Sequence, residues 1–313
     1  MGTVVTLTAV APTERVAQEA LTAGFKEIRR LEELLSTWIP ASELSRVNRA
    51  AGKEPVAVSP ETLSLLKQAL EIARLTEGGF NVAIGPAVEV WSVTERVRVP
   101  EEAELKKLFP LVDLSHIRLD EQTGTVYLAT PGMRLDVGGI GKGFAADRTA
   151  AVMQAAGATG GVVALAGDVK TFGEPPDGKP FLFVIRHPRK DGAVLALVAL
   201  RDEAISTAGD YERFFEQDGI RYHHILDPST LQPARGCQSV TVIAREGVLA
   251  DGLDTGIFVL GPKRGMDLIE RLPEVEGVIV DSEGQVLVSS GLKNRLMLQD
   301  GAAPAFTNGR PRD

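Results

Sequence analysis

The sequence lacks most of the features that mark specialised classes of protein. Its single cysteine, Cys237, excludes an internal disulfide. Lys and Arg number 34 against 42 Asp and Glu, and no basic run occurs. The formal net charge of −8 therefore argues against a nucleic-acid-binding surface. No stretch approaches the roughly 18 consecutive apolar residues of a membrane span. The opening MGTVVTLTAV also lacks the charged region and cleavage site of a secretory signal, so the sequence leaves the compartment open.

The composition is that of an ordinary globular protein, with 44% hydrophobic and 24% charged residues. Its 313 residues can bury a sizeable core. Apolar residues at helical spacing predict a helix over Thr13 to Leu35. A second helix is predicted from Ser59-Pro60 to Thr76, because Ser suits the N-cap and Pro the first helical position. Further helices are predicted over Glu101–Phe109, Lys142–Ala156, Ala250–Leu260 and Arg264–Arg271.

Strand-like segments rich in β-branched residues alternate irregularly with these helices. They are TVVTLTA, GGVVALAG, FLFVIR, VLALVAL and QSVTVIA, together with the two hairpin patterns IRLDEQTGTVYLAT and GVIVDSEGQVLVSS. Hairpins without strict β-α alternation favour an α+β fold with largely antiparallel sheet. Residues 301–313, rich in Gly, Pro and Ala, are predicted to form a flexible tail.

The segment LDVGGIGKGFAADR, residues 135–148, is a glycine-rich loop directly before a predicted helix. It is not a Walker A loop, because Asp136 stands at the first glycine position and Gly143 replaces the hydroxyl residue. It is not a dinucleotide fingerprint either, because Phe144 replaces the third glycine. Small residues, a helix N-terminus and the charge of Lys142 are nevertheless suited to a phosphate. A glycine turn packed tightly under a helix is the alternative, and both interpretations stay open.

The segment VLADGLDTGIFVLGP carries a second cluster of oxygen atoms. Asp251 and Thr255 lie one helical turn apart on one face, and Asp254 is next to Thr255. Carboxylate and hydroxyl oxygens suit Mg²⁺ and not zinc. The alternative is that Asp251 caps its own helix while the Thr255 hydroxyl bonds back to a helix carbonyl.

The segment YHHILDPSTLQPA contains two of the four histidines. His223 and His224 would point to opposite faces of a strand, so at most one faces a given pocket. They are too few for a zinc site, and Cys237 adds no C-x-x-C spacing. One packed and one exposed histidine is the structural alternative.

Several segments, taken in order, resemble the FAD:protein FMN transferase (ApbE-like) family across nearly the whole chain. The segments are MGT, LLSTWIPASELSRVNRAAG, GGFNVAIGPAVEVW, LDVGGIGKGFAADR, ALAGDVKTFG, AISTAGDYERFF, YHHILDPSTLQPA and VTVIAREGVLADGLDTGIFVLG. The resemblance implies a T-fold-like α+β architecture of repeated units, with mixed, largely antiparallel sheets, flanking helices and a nucleotide cleft between them. It further implies a single domain over residues 1–300, made of two intertwined subdomains.

The activity implied by this resemblance is Mg²⁺-dependent transfer of the FMN moiety of FAD onto a threonine of an acceptor flavoprotein, with release of AMP. An FAD diphosphatase that yields FMN and AMP, and a non-catalytic flavin-binding protein, are the alternatives. The expected partners are FAD and an acceptor with an exposed threonine. Many relatives carry a lipoprotein signal, so we expect membrane association only through an N-terminal anchor, which this sequence does not show.

The resemblance also assigns site residues. His224 is the candidate base. The expected flavin or nucleotide contacts are Met1, Trp38, Asn81, Val82, Ala83, Asp136, Lys142 and Ile225. The expected metal ligands are the Gly139 carbonyl, Asp251, Asp254 and Thr255. Three departures from the family pattern affect loop geometry: Asn81 replaces a usual Asp, while Ala166 and Leu231 replace usual glycines.

Overall fold

The computed structural model describes residues 3–299 and the backbone of residues 305 and 306. Met1 and most of the predicted tail lie outside the described residues. The helices of the described chain are α1 Glu14–Leu35, α2 Glu43–Arg49, α3 Pro60–Leu75, α4 Gly85–Trp91, α5 Glu102–Lys106, α6 Gly141–Ala155, α7 Gly247–Leu260 and α8 Pro262–Arg271. None of these helices is long and apolar enough to cross a membrane.

The strands of the described residues are mostly short. They are β1 Val5–Val10, β2 Val56–Ala57, β3 Ile117–Asp120, β4 Thr125–Leu128, β5 Gly160–Leu165, β6 Asp168–Gly173, β7 Phe181–Arg186, β8 Val194–Leu200, β9 Ala204–Gly209, β10 Phe214–Gln217, β11 Ile220–His223, β12 Leu226–Asp227, β13 Gln232–Pro233, β14 Cys237–Ala244, β15 Glu276–Asp281, β16 Val286–Val288, β17 Leu296–Leu298 and β18 Ala305–Phe306.

An eight-stranded sheet in the order β1-β5-β6-β9-β14-β15-β16-β18 forms the centre of the molecule. Its neighbouring strands are antiparallel except for the parallel pair β16-β18. Two three-stranded sheets, β17-β8-β7 and β2-β4-β3, and the two-stranded pairs β10-β11 and β12-β13 complete the structure. The predicted α+β class with largely antiparallel sheet is therefore confirmed. The division into two intertwined subdomains stays a prediction.

The strongest local signals in the sequence position the long helices as predicted. The Thr13 hydroxyl accepts from the Val16 N–H at the start of α1, and the Ser59 hydroxyl accepts from the Thr62 N–H at the start of α3. Gly157, with φ of 99°, follows the end of α6. The helices α2 and α4, seven residues each, were not predicted.

The central sheet is covered on both faces, which explains why every residue of β14 is buried. On one face, apolar residues of α6 and α7 join the main core; Phe144, Leu253 and Ile257 are examples. On the other face, Ile243 belongs to a second apolar cluster with Val198 of the β17-β8-β7 sheet. Helix α7 is thereby enclosed, and its polar side chains face protein instead of bulk water.

Two residues that stand where the resemblance leads us to expect glycine adopt the left-handed backbone. Ala166 has φ of 55° and Leu231 has φ of 57°. Such a conformation costs a residue with a Cβ about 1–2 kcal/mol. Leu231 is fully buried, and its carbonyl accepts a 2.7 Å hydrogen bond from the Trp91 indole N–H. This packing holds the strained turn in place.

Candidate metal and nucleotide site

The glycine loop and helix α7 meet at the N-terminus of α6. The Gly143 N–H donates to Asp251 Oδ2 at 2.8 Å. A Cβ placed on Gly139 would lie 3.0 Å from Thr255 Oγ1, so these two residues are direct neighbours. The two segments singled out in the sequence therefore converge in space.

Asp251 caps a helix, but not its own. It lies in the second turn of α7 and caps α6 through the Gly143 N–H. The first N–H groups of α7, those of Gly247 and Val248, donate instead to Asp147 at 2.8 and 2.9 Å. The alternative that Asp251 caps α7 is wrong, because α7 begins at Gly247, three residues earlier than predicted.

Several N–H groups of the glycine loop have partners inside the protein. The Gly138 N–H donates to Asp136 Oδ1 at 2.7 Å, and the Gly141 N–H donates to the Val137 carbonyl at 2.7 Å. Together with the Gly143 N–H on Asp251, these bonds occupy donors that a phosphate would need. The loop is therefore better suited to offer the Gly139 carbonyl and the Lys142 ammonium to a ligand than a set of backbone N–H groups.

A buried carboxylate triad lies where α7 faces the central sheet. Asp168, Asp251 and Asp254 each offer an oxygen, and these oxygens lie within 4.8 Å of one another. All three residues are at most 3% exposed. Because the triad is closed off from bulk water, its charges need a partner within the protein or a bound cation.

Ser206, on β9, joins two members of the triad. Its hydroxyl contacts Asp168 Oδ1 and lies 2.6 Å from Asp254 Oδ2. A hydroxyl carries only one hydrogen, so it can donate to one of these carboxylates at a time. The second contact requires a proton on the carboxylate or a cation nearby. The Thr255 hydroxyl also points into this cluster and donates to Asp254 Oδ1 at 3.1 Å.

Lys142 is the positive charge within the cluster, and its Nζ contacts Asp168 Oδ2. Burial opposes its charge, but the charges of Asp251 and Asp168 outweigh burial and raise the pKa of the ammonium. Burial and the charge of Asp168 raise the pKa of Asp251 to about 7. Burial and the charge of Asp251 raise the pKa of Asp254 well above its usual value. One ammonium does not balance three carboxylates, and this donor set of carboxylate, hydroxyl and carbonyl oxygens fits a hard divalent cation.

The predicted flavin segment lies beside the glycine loop. The Asp136 N–H donates to the Val82 carbonyl at 2.8 Å. Asn81 has structural partners: its Nδ2 donates to the Val112 carbonyl and its Oδ1 accepts from the Ala83 N–H. Val82 and Ala83 are fully buried. Trp38 is 84% exposed on the loop after α1, so its contact with a flavin stays a prediction.

The two histidines differ as their alternation along the chain predicts. His223 is buried, and its Nε2–H donates to the Ala234 carbonyl at 2.8 Å while Nδ1 accepts from the N–H of Ile225, which is itself buried. His224 is exposed, and its Nδ1 lies 3.3 Å from the Arg213 carbonyl. A carbonyl only accepts, so Nδ1 carries the hydrogen and Nε2 keeps a free lone pair.

The surroundings of His224 keep its ring neutral. Desolvation by the neighbouring protein groups, followed by the charge of Arg213, lowers the pKa of His224 to about 4. The charge of Lys142 acts in the same direction, which relates the histidine segment to the glycine loop.

The comparison with known proteins assigns the chain to a family. A sequence model described as the ApbE family matches residues 1–279. The chain belongs to the ApbE family.

Two curated relatives of this ApbE-family chain are FAD:protein FMN transferases. It is 36% identical over 275 residues to an FAD:protein FMN transferase of Vibrio cholerae, covering 85% of this chain and 82% of the relative. It is 35% identical over 297 residues to an FAD:protein FMN transferase of Treponema pallidum, covering 90% and 82%.

Solved structures of the ApbE family share the fold. The ApbE protein of Thermotoga maritima has a TM-score of 0.84 at 32% identity, covering 93% of this chain and 95% of that one. The flavin transferase ApbE of Vibrio cholerae has a TM-score of 0.82 at 31% identity, covering 94% and 96%.

Sequence reasoning found most of the central cluster of this ApbE-family chain and missed two of its members. The structure brings Gly139, Lys142, Asp251, Asp254 and Thr255 together. Asp168 and Ser206 were missed, although both stand in segments that carry the family resemblance, ALAGDVKTFG and AISTAGDYERFF. Asp168 stands directly after a turn, at the start of β6, and this position was the one sign in the sequence of a functional aspartate.

Proposed function

We propose that this chain is a Mg²⁺-dependent transferase that moves the FMN moiety of FAD onto a threonine hydroxyl of an acceptor flavoprotein and releases AMP. The name shared by its curated relatives, FAD:protein FMN transferase, supports flavin transfer. The observation that carries the metal dependence is the buried triad of Asp168, Asp251 and Asp254 beside Gly139.

Asp251, Asp254, the Thr255 hydroxyl and the Gly139 carbonyl would hold the cation, with Asp168 as a further carboxylate. A bound Mg²⁺ supplies positive charge that stabilises the diphosphate oxygens as AMP leaves.

The remaining residues orient and activate the reactants. Asp136 and the backbone of residues 81–83 would line the flavin nucleotide, and Lys142 would pair with a phosphate oxygen. His224 Nε2, which has a free lone pair, would accept the proton of the acceptor threonine as its hydroxyl attacks the FMN phosphorus. The negative charge of a bound diphosphate would raise the pKa of His224 from its low value towards neutrality.

The test follows both products of transfer. The chain is incubated with FAD, Mg²⁺ and a candidate acceptor; AMP is measured by chromatography and FMN on the acceptor by mass spectrometry. We expect one AMP for each modified acceptor, and neither product when the target threonine is replaced by valine. Steady AMP release without acceptor would indicate an FAD diphosphatase, and bound flavin without AMP a carrier; either result contradicts the proposal.

Two variants separate the assigned roles. His224→Asn should still bind FAD but lose most transfer, because the proton acceptor is missing. Asp251→Asn should lose Mg²⁺-dependent FAD binding together with transfer. Full transfer in both variants would overturn the assignment of these residues.

A further inference from the structure

A cavity of about 340 Å³ lies on the side of the histidine segment that His223 faces. Its wall includes His223 and four charged residues: Arg189, Arg221, Arg235 and Asp210. His224, the candidate base, points the other way, and no member of the carboxylate triad or the glycine loop lines this cavity. The cavity is therefore a separate site, of the size that small ligands occupy.

The wall of this cavity has the opposite charge to the chain as a whole. Three guanidinium groups and one carboxylate give the wall a formal charge of +2, whereas the chain carries −8. Burial lowers the pKa of His223 to about 4, so this ring contributes no charge at neutral pH. A concentrated positive charge within an acidic protein indicates an anionic ligand.

The single carboxylate of the wall, that of Asp210, already has arginine partners. Asp210, only 7% exposed, accepts two hydrogen bonds of 2.6 Å from Arg189. Arg221 lies 3.6 Å from the same carboxylate and also pairs with Glu216 at 3.1 Å. These pairs hold two of the guanidinium groups in place and leave Asp210 with little capacity for a third.

Among the described residues, Arg235 is the cation of this cavity without a carboxylate partner. Its Nη1 donates to the Arg221 carbonyl at 2.6 Å, and its guanidinium lies 5.5 Å from the centre of the Tyr222 ring. No carboxylate of the residues that the structure describes forms a salt bridge with it. A guanidinium has five N–H donors, so most of those of Arg235 remain available to a ligand.

Arg235, an exposed residue, lies over a ring that belongs to an aromatic stack. The Tyr222 ring stacks on Trp91 at 5.7 Å and on Phe215 at 5.2 Å. The Tyr222 ring and the hydrogen bond to the Arg221 carbonyl both constrain the guanidinium and favour one orientation of its planar donor fork. Such a fork matches the two oxygens of a phosphate or a carboxylate.

We propose that this cavity binds a small oxyanion, a phosphate or carboxylate group. Arg235 is the principal donor, and the Arg221 carbonyl holds its guanidinium through a hydrogen bond. The site is distinct from the flavin nucleotide site, so it adds a second anionic ligand to the chemistry of this chain.

The first experiment measures anion binding directly. The full chain, in a buffer of low ionic strength and without added metal, is titrated by calorimetry with inorganic phosphate and, separately, with succinate. We expect saturable binding to one site that weakens as NaCl is added. Tighter phosphate binding would indicate a phosphate-bearing ligand and tighter succinate binding a carboxylate, and either result supports the oxyanion site.

Variants identify the site. Arg235→Gln should weaken binding about tenfold or more, since hydrogen bonds to charged groups are the strong ones. Arg118→Gln is the matched control, because it removes a guanidinium 5.9 Å from the Tyr127 ring outside the cavity and should change nothing. Arg235→Lys keeps the charge without the fork and should bind with intermediate affinity. Circular dichroism confirms that each variant is folded.

Three results would overturn the proposal: no saturable binding of either anion, equal affinity in wild type and in folded Arg235 variants, or, in a separate competition with Mg²⁺ present, complete displacement of the anion by saturating FAD. The last result would place the anion in the flavin nucleotide site. Neither titration uses an acceptor protein or Mg²⁺, so failure here is distinguishable from failure of flavin transfer.

Discussion

Two aspartates cap helices to which they do not belong, and only one of them is part of the carboxylate triad. Asp147, on α6, accepts from the first N–H groups of α7, while Asp251, on α7, accepts from the Gly143 N–H at the start of α6. This reciprocal arrangement allows the capping role of Asp251 to be separated from its charge.

We expect Asp251→Asn to weaken Mg²⁺ binding at least about tenfold, because the variant replaces a charged carboxylate ligand with a neutral amide. The amide oxygen of Asn can still accept from the Gly143 N–H, so the cap is preserved. Titration calorimetry with Mg²⁺ measures the effect. Asp147→Asn is the control, since it neutralises a capping aspartate outside the triad; an equal loss of affinity in both variants would contradict a specific role for Asp251.

His223 makes the stability of the folded chain depend on pH. Burial lowers the pKa of His223 to about 4, against the opposing hydrogen bond to the Ala234 carbonyl. In the unfolded chain a histidine binds a proton near pH 6.5. Between these values the unfolded state binds more protons, so the free energy of unfolding falls as the pH decreases. A shift of this size corresponds to roughly 3 kcal/mol.

The measurement is urea unfolding at several pH values between about 7 and about 4.5. His223→Gln should show a shallower loss of stability with decreasing pH than wild type, whatever its stability at pH 7. His116→Gln, which removes a partly exposed histidine outside the cavity, is the control for the loss of a histidine as such. Identical slopes in wild type and His223→Gln would show that other groups produce the pH dependence.

At the scale of elements, the close approach of α6 and α7 brings the site together. A Cβ on Gly143 would overlap the Gly247 carbonyl and lie 2.8 Å from the Cβ of Asp251. A Cβ on Gly247 would lie 2.7 Å from the Gly143 carbonyl oxygen. Glycine at both positions therefore sets the distance between the helices and, through it, the position of Asp251.

Gly143→Ala should destabilise the fold by at least about 2 kcal/mol, because the backbones must separate to admit one methyl group. Gly141→Ala is the control in the same loop: its Cβ would meet Val137 at 3.4 Å, an ordinary contact. Since Ala is favoured over Gly in helices, Gly141→Ala should change stability by less than about 1 kcal/mol. Denaturant unfolding compares the two, and equal stability would show that the helix contact can relax.

Local caps made the starts of α1 and α3 predictable from the sequence, whereas the start of α7, which is capped from another helix, was predicted too late. Thr13 and Ser59 cap α1 and α3 locally, so a reading of neighbouring residues finds both starts. The first N–H groups of α7 are satisfied by Asp147 on another helix, and no side chain at its own N-cap forms a hydrogen bond. The predicted start was therefore too late. Helix α4 also lacks a side-chain cap and was missed.

At the scale of the whole molecule, local sequence predicts only the site residues that share one helix. Asp251, Asp254 and Thr255 lie within two turns of one helix, so their spacing along the chain predicts a shared face. Asp168 and Ser206 come from β6 and β9, which lie beside one another only through the strand order of the central sheet. Nothing in their local sequence relates them to α7, and a single sequence gives no other measure of such long-range pairing.

The balance of charge in this assembled cluster leads to a last prediction, for the stability of the whole molecule. Folding places three carboxylates in a buried space with one ammonium, and the raised pKa values of Asp251 and Asp254 show that this is unfavourable for their charged forms. A divalent cation relieves the repulsion in the folded state and finds no such site in the unfolded chain.

Mg²⁺ at about a hundred times its dissociation constant should then stabilise the fold by about 2.7 kcal/mol, a rise of several degrees in Tm. Differential scanning calorimetry with Mg²⁺, with EDTA, and with NaCl of equal ionic strength measures this rise, and Asp254→Asn should abolish most of it. A wild-type Tm that responds to Mg²⁺ no more than to NaCl would mean that the triad is neutralised by Lys142 and shared protons instead of by a metal ion.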